Sequence, residues 1–458
     1  MPGWFLTRCR VPGDLAAVTT VHRDAEVLPR SVGADPEAVE RVWEAVLALY
    51  RTGVHPAIQL CVRRRGAVLL QRAIGHAVGN GPEDPPDAPK RLATPETPFT
   101  IFSASKAVTA MVIHLLDQHR LLHLDDPVCE YIPEFGKRGK EWVTIRHVLT
   151  HRAGLPTLPG SAMDLDLLSH PDHILDLLCE APLRWRPGRR LAYHTITGGF
   201  LLGEVVRRVT GRDIRQVLAR EIARPLGLRG FGYGVRRDRV RAVARNYFTG
   251  FAPFPPFSTI LHRALGIDVR EAVALSNDPR FLTGIIPSAN VVATADELSR
   301  FYQLLLNGGE LDGQRIFDRR TVRRATSEQA YLEFDLTLGV PIRYGMGFML
   351  GAKRLSFYGP DTDRAFGHIG LTNIVAWADP ERQVAAALMT SGKPIVHPGL
   401  AHLYRIMVRI GEACPKERQA MRPGAPLTRP RASRPPRSIP ASRRIGVRRR
   451  TPPGPGRD

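Results

Sequence analysis

The sequence predicts an α+β fold: a mostly antiparallel sheet built from both chain ends, with flanking helices and a helical insert. Three observations lead there. β-rich runs collect before about residue 80 and again after about residue 300, runs with helical spacing fill the stretch between, and each β-rich region contains a hairpin. Two hairpin-bearing ends separated by helices are most simply joined as one sheet.

Taken in order, residues 1–35 show no clear periodicity and read as an N-terminal extension. In 36–50, Val39, Val42, Val46, Leu47 and Tyr50 recur at helical spacing. Residues 55–63 and 67–75 are β-rich and flank a polar Arg-Arg-Gly turn, the first hairpin. A Pro/Asp-rich loop over 80–98 leads to a helix that is apolar nearly all round, and Asp126 before Pro127 signals another helix start. Thr144 caps a helix that Gly154 closes, 198–210 is helical and apolar up to Gly211, and a further helix runs to about Leu226. Residues 247–257 set five aromatics among three prolines, an irregular loop too rigid for a helix. It either roofs a pocket, touches a membrane surface, or is a long connection that buries its aromatics on the core. A helix over 295–307 ends at Gly308-Gly309. Strand-like runs follow at 344–350, 373–378 and 383–390, the last two joined at Asp379-Pro-Glu-Arg as a second hairpin, and 402–410 is a final helix. The folded domain is expected over 36–412, with its sheet part at about 50–80 and 300–412 and its helical part at about 90–300.

Composition excludes several classes. The 458 residues carry a net charge of +21, but 13 basic and two acidic residues fall within 415–458. The stretch 413–458 is rich in Pro and Arg and too poor in large apolar residues to fold, so it reads as a disordered basic tail. Its roles are a solvated extension or a peripheral contact with an anionic surface or membrane; no specific nucleic-acid partner is expected. No apolar run is long enough to span a bilayer, and the N-terminus lacks the basic-then-apolar pattern of a secretory signal. The five scattered cysteines read as reduced thiols, which fits a cytoplasmic protein with neither a disulfide frame nor a zinc site.

The chemistry centres on Ser103-Ala-Ser-Lys106. Three residues apart at the head of a buried helix, the two side chains share one face. Burial disfavours the charged amine, and a neutral lysine beside a hydroxyl takes its proton. The chain uses 58 arginines and only seven lysines, so a lysine inside an apolar helix is a specific choice: arginine never gives up its proton. The structural alternative is an N-cap serine with a snorkelling lysine. Tyr193, in a loop entering an apolar helix, supplies a phenol that a charged lysine would acidify and that can shuttle a proton. In Phe366-Gly-His-Ile-Gly-Leu-Thr-Asn, Gly367 and Gly370 admit close approach, and an N–H there pairs with that of Ser103 around an oxyanion. Other chemistries lack their motifs. No G-x-S-x-G exists, His147 and His151 lie four apart without H-E-x-x-H, so no metal is expected, and Ser391-Gly392-Lys393 is a turn without the Gly-rich loop of a phosphate cradle.

S-x-x-K, then a Tyr loop, then H-x-G before a strand resembles the serine β-lactamase and penicillin-binding-protein superfamily, most of all the class C β-lactamase-related esterases and peptidases. Supporting stretches begin at Leu122, Thr144 and Pro287, and the likeness covers roughly 57–407. The resemblance implies a β-lactamase/transpeptidase-like fold and no cofactor, with Ser103 as acylated nucleophile, Lys106 as base and Tyr193 as proton relay. His368-Ile369-Gly370 would stand in place of K-T-G, and the N–H of Leu371 would complete the oxyanion hole with that of Ser103. The family's Y-x-N is Tyr193-His194-Thr195 here, so Thr195 replaces the amide that orients a substrate carbonyl. Loss of that amide and of the K-T-G cation weakens the grip on β-lactams and D-peptides, whereas an ester or simple amide needs neither. The expectation is a carboxylesterase ahead of a β-lactamase or D-peptidase. A non-catalytic scaffold acting through the tail has no need to keep Ser103, Lys106 and Tyr193.

Overall fold

Strands from the two chain ends meet in the middle of one sheet. The computed structural model describes residues 6–157 and 164–417; most of the tail expected at 413–458 lies outside the described residues. The main sheet comprises β1 (Thr19–Val21), β2 (Ala57–Arg64), β3 (Ala67–Val78), β4 (Arg91–Leu92), β5 (Ala330–Asp335), β6 (Val340–Tyr344), β7 (Met349–Leu350), β8 (Phe366–Gly370), β9 (Ile374–Asp379) and β10 (Val384–Thr390). Its order is β1-β3-β2-β10-β9-β8-β7-β6-β5, with β4 beside β3. Antiparallel pairing of β2 with β10, Leu60 opposite Leu388, closes the sheet across the insert.

Every residue of β2 and β10 is buried, so neither strand shows the polar–apolar alternation of a half-exposed sheet. Side-chain size alternates instead. Ile58, Leu60, Val62, Val384 and Leu388 pack under the helices Pro36–Arg51 and Leu400–Ala413. Ala57, Cys61, Ala385 and Ala387 face the opposite way, toward the helices Ser105–Gln118 and Ala295–Leu306. Small side chains there let helix Ala295–Leu306 lie close to the strands, and Gln59 and Arg63 reach it by hydrogen bonds. Thr294 and Glu297 form a reciprocal capping box that fixes the start of helix Ala295–Leu306.

Several local expectations change. Within residues 1–35, β1 extends the sheet beside β3, and Val18, Val32 and Ala34 join the core under the first helix. Asp126-Pro127 opens only a 3-10 turn, Val128–Glu130, because the Asp126 carboxylate accepts the N–H of His123, behind it in sequence. The helix capped by Thr144 is Ile145–Leu149, and it ends before His151, whose φ of 59° is left-handed, not at Gly154. Residues 247–251 are tied to Ser391, Lys393, Val396 and Thr7 by backbone hydrogen bonds, and a helix, Phe257–Leu265, begins at the last of the five aromatics. Among the described residues no helix is long and apolar enough to cross a membrane.

The size alternation makes β10 sensitive in two opposite ways. Leu388→Ala should cost about 2–5 kcal/mol by opening a cavity. The neighbouring Ala387→Leu should cost about 1–3 kcal/mol by overpacking the helix Ala295–Leu306. Chemical denaturation of both variants checks this; an Ala387→Leu protein as stable as the parent would place that face away from the helices.

Candidate active site

The serine turn is built by strain and close packing. Strand Phe99–Thr100 runs into a 3-10 turn, Phe102–Ala104, and then into helix Ser105–Gln118, buried from Ser105 to Leu116. Ala104 occupies the N-cap without a side-chain bond, so Ser103 does not cap the helix. Phe102 takes a φ of 48°, a left-handed conformation that costs a bulky residue on the order of 1–3 kcal/mol. β8 presses against this turn: a Cβ on Gly370 would stand 2.3 Å from the carbonyl oxygen of Ile101, so only glycine fits.

Lys106 Nζ lies 3.1 Å from Ser103 Oγ, 2.8 Å from the carbonyl oxygen of Thr195 and 3.1 Å from that of Ser288. Burial pushes its pKa well below the ordinary lysine value. A neutral amine has two N–H donors and one lone pair. In that form the two carbonyls take the N–H groups, and the lone pair is left for the Ser103 hydroxyl. The lysine is buried rather than snorkelling, and its amine sits 4.7 Å from the centre of the Tyr193 ring.

Tyr193 is buried and hydrogen-bonded to Ser103. The expectation of an acidified phenol is corrected: burial raises the Tyr193 pKa and outweighs the hydrogen bond with Ser103, which pulls it the other way. Burial therefore disfavours a charge on the amine and on the phenol alike.

The remaining expected residues divide. Leu371, Gly370 and Thr195 line a cavity with Ser103 and Tyr193. His368 is buried on β8 behind that wall, its ring 6.3 Å from that of Tyr193, and its Nδ1 donates to the Ile369 carbonyl at 2.7 Å. Burial, reinforced by Lys106, brings the His368 pKa down to about 3, so no cation stands where K-T-G would place one. His147 and His151 do not converge. His147 accepts the Thr144 N–H in a capping box, while His151 turns inward, 4.6 Å from Tyr193 between ring centres. Among the described residues no group of three or more His, Cys, Asp or Glu is placed to hold a metal ion.

Two contributors escaped the sequence reading. Ser288 supplies one of the carbonyls on Lys106, and Gly199 makes room for it, since a Cβ there would stand 2.2 Å from Ser288 Oγ. Its stretch was legible only through the family likeness at Pro287. Asp335, fully buried, accepts the N–H groups of Tyr193, Thr337 and Leu338 at 3.1, 2.9 and 3.0 Å, fixing the tyrosine loop to the end of β5. Burial raises its carboxyl pKa, although the three N–H bonds pull the other way.

Two apolar cavities meet at Ser103. The larger, about 490 Å³, runs between helix Phe257–Leu265 and helix Leu400–Ala413 and has no charged side chain on its wall. The smaller, about 110 Å³, lies toward Leu165, Phe200 and Phe281. Ser103, Thr195, Leu265 and Leu371 belong to both. Phe254 of the aromatic loop is not part of either wall; the helix that this loop leads into supplies Leu261, Ala264 and Leu265.

A beta-lactamase family model matches residues 41–408. The esterase/beta-lactamase LipL of Mycobacterium tuberculosis (strain ATCC 25618 / H37Rv) is 32% identical over 369 residues, covering 73% of this chain and 80% of that protein. A penicillin-binding-protein homologue from Caulobacter crescentus superposes with a TM-score of 0.70 at 28% identity, over 83% of this chain and 99% of that one. A family VIII carboxylesterase also gives 0.70, at 24% identity, over 82% and 98%.

Two outcomes follow from the amine. Lys106→Arg should lower kcat/KM about 10³-fold, nearly as far as Lys106→Ala, because a guanidinium accepts no proton; an Arg variant within tenfold of the parent would remove the base assignment. Activity should also fall with decreasing pH through a single limb set by the depressed Lys106 pKa, since the amine is active only when neutral. His368→Asn should leave that limb in place. A limb that vanishes with the histidine would transfer the titration to it.

Proposed function

Since the chain belongs to the beta-lactamase family, we propose that it is a carboxylesterase working through an acyl-enzyme on Ser103. The observation that carries this reading is the uncharged Ser103–Lys106–Tyr193 cluster at the junction of two apolar cavities. Lys106 takes the Ser103 proton as Oγ attacks the ester carbonyl. The N–H groups of Ser103 and Leu371 hold the oxyanion of the tetrahedral intermediate. As the intermediate collapses, the proton passes from Lys106 through the Tyr193 phenol to the leaving alkoxide, and the alcohol departs. Water then repeats the sequence on the acyl-enzyme: it gives a proton to Lys106, attacks the acyl carbon and releases the acid as Ser103 is reprotonated.

Protonated Lys106 exists only within this cycle. Its third hydrogen then has an acceptor in Ser103 or Tyr193 oxygen, while Thr195 and Ser288 keep the other two. Buried cations need such complete hydrogen bonding.

Substrate choice follows from the walls. A β-lactam or D-peptide presents a carboxylate and needs a cation; His368 is neutral, and the larger cavity carries no charge. An ester with one long and one compact apolar group fills both cavities without leaving a polar group unpaired. The mycobacterial relative is named for both activities, so a panel must separate them. A fluorophosphonate should label Ser103 and not Ser103→Ala protein. Nitrophenyl esters should be turned over at least a hundredfold better, in kcat/KM, than nitrocefin or D-Ala-D-Ala peptides. Leu403→Trp, which fills the larger cavity, should lower decanoate turnover relative to butyrate by about tenfold. Labelling without ester turnover, or an unchanged chain-length profile, would redirect the reading to another acyl substrate.

A further inference from the structure

Exposed apolar side chains collect at the mouth of the larger cavity. Phe357, Leu400 and Tyr404 line its wall and are also 42%, 49% and 40% exposed. Leu355, beside the lining residue Ser356, is 90% exposed. Leu336 and Val340 are exposed on either side of Leu338, another lining residue, at the turn between β5 and β6. Gly339 in that turn lies against Ile260 of helix Phe257–Leu265, so the turn and the helix form one rim. Single exposed leucines are ordinary, but a ring of them around a substrate entrance is not.

The charge on the same segments is one-sided. The 52 residues of 253–266, 336–357 and 394–409 contain six Lys or Arg and no Asp or Glu. At the chain's own acidic frequency, 44 in 458, about five would be expected. Arg263, Lys353, Arg354 and Arg405 are exposed next to the rim, and none forms an ion pair with a described carboxylate. Elsewhere, arginines are often paired, as Arg72 is with Glu26 and Glu40.

We propose that this rim docks the protein on an anionic lipid bilayer, with Leu355 inserted below the headgroups and the cavity mouth facing the lipid. Apolar tips surrounded by long basic side chains suit that boundary, because the tips enter the acyl region while the basic heads stay at the phosphates. Carboxylates would be repelled there, which accounts for their absence from these three segments. A lipid phase also fits the location better than a protein partner does: a protein seated on the rim would seal the cavity, whereas lipid leaves it open to apolar substrate. This docking uses none of the residues 418–458, and it does not depend on the identity of the reaction at Ser103.

Flotation of the full chain with vesicles tests it. The parent protein should bind phosphatidylcholine vesicles containing phosphatidylglycerol, bind pure phosphatidylcholine vesicles much less, and lose part of its binding at high salt. Leu355→Asp should weaken binding about tenfold or more while hydrolysis of a soluble short ester is unchanged, because Leu355 lies outside the cavity wall. Leu355→Trp should show a blue-shifted emission on the anionic vesicles. Equal vesicle binding by Leu355→Asp and the parent would assign the contact to the tail and overturn the proposal. A Leu355→Trp emission that stays water-like on bound protein would overturn it as well.

Discussion

The structure depends on keeping one amine uncharged. Carrying Lys106 as a cation in this interior would cost several kcal/mol unless a counter-ion were supplied. Among the described residues no carboxylate pairs with it. The fold supplies two backbone carbonyls, from loops at Thr195 and Ser288, which satisfy the two N–H groups of the neutral form and leave a lone pair for Ser103. A carboxylate would have raised the lysine pKa and removed its basicity. Carbonyls orient the amine without carrying a full charge. The helix Ser105–Gln118, the loop before helix Thr197–Thr210 and the segment before strand Val291–Ala293 must all be in place before the amine has its geometry, so the chemistry is a property of the assembled insert and sheet.

Neutrality extends beyond the lysine. His151, His194 and His368 surround the Tyr193–Lys106 pair, and burial holds all three pKa values down, His194 and His368 to about 3. Three rings able to carry charge thus stay uncharged, and on the proposed route the proton handed from Ser103 to Lys106 is the main charge separation the site must stabilise. A preorganised uncharged pocket favours substrates that are themselves uncharged. Asp335 is consistent with this. Three backbone N–H groups bond one of its oxygens, and its negative charge raises the Tyr193 pKa further, which keeps the phenol protonated.

Much of this was legible because it is written in local spacing. Ser103 and Lys106 are three residues apart, the two hairpins have their turns in sequence, and Gly211 and Gly308 mark helix ends that the structure keeps. The misses share a cause. The carbonyls of Thr195 and Ser288 act through the backbone, which has no side-chain signature. Asp335 meets Tyr193 across 142 positions, and its role appears only when β5 is placed. The pKa of Tyr193 was misjudged in sign because the sequence shows a lysine nearby but not how deeply the phenol is buried. Asp126-Pro127 looked like a helix start, and a local bond from the His123 N–H to the carboxylate turned it into a short turn instead.

Lysine usage draws these points together. Of seven lysines, Lys106, Lys140 and Lys393 are buried, and burial lowers the pKa of each. Lys140 donates to the carbonyls of Cys179 and Ala181 at the end of helix Pro171–Glu180, which would otherwise be left unpaired. Lys393 donates to the Thr390 carbonyl at 2.6 Å, and its amine lies 4.8 Å from the centre of the Phe102 ring. That ring belongs to the residue held at positive φ immediately before Ser103. A guanidinium there would bring a permanent charge and five donors into a space with few acceptors. A lysine can shed its charge and still donate. The same property therefore serves twice around one strained turn: against Phe102 it fills the interior without a counter-ion, and beside Ser103 it would provide the lone pair that takes the hydroxyl proton in the proposed reaction.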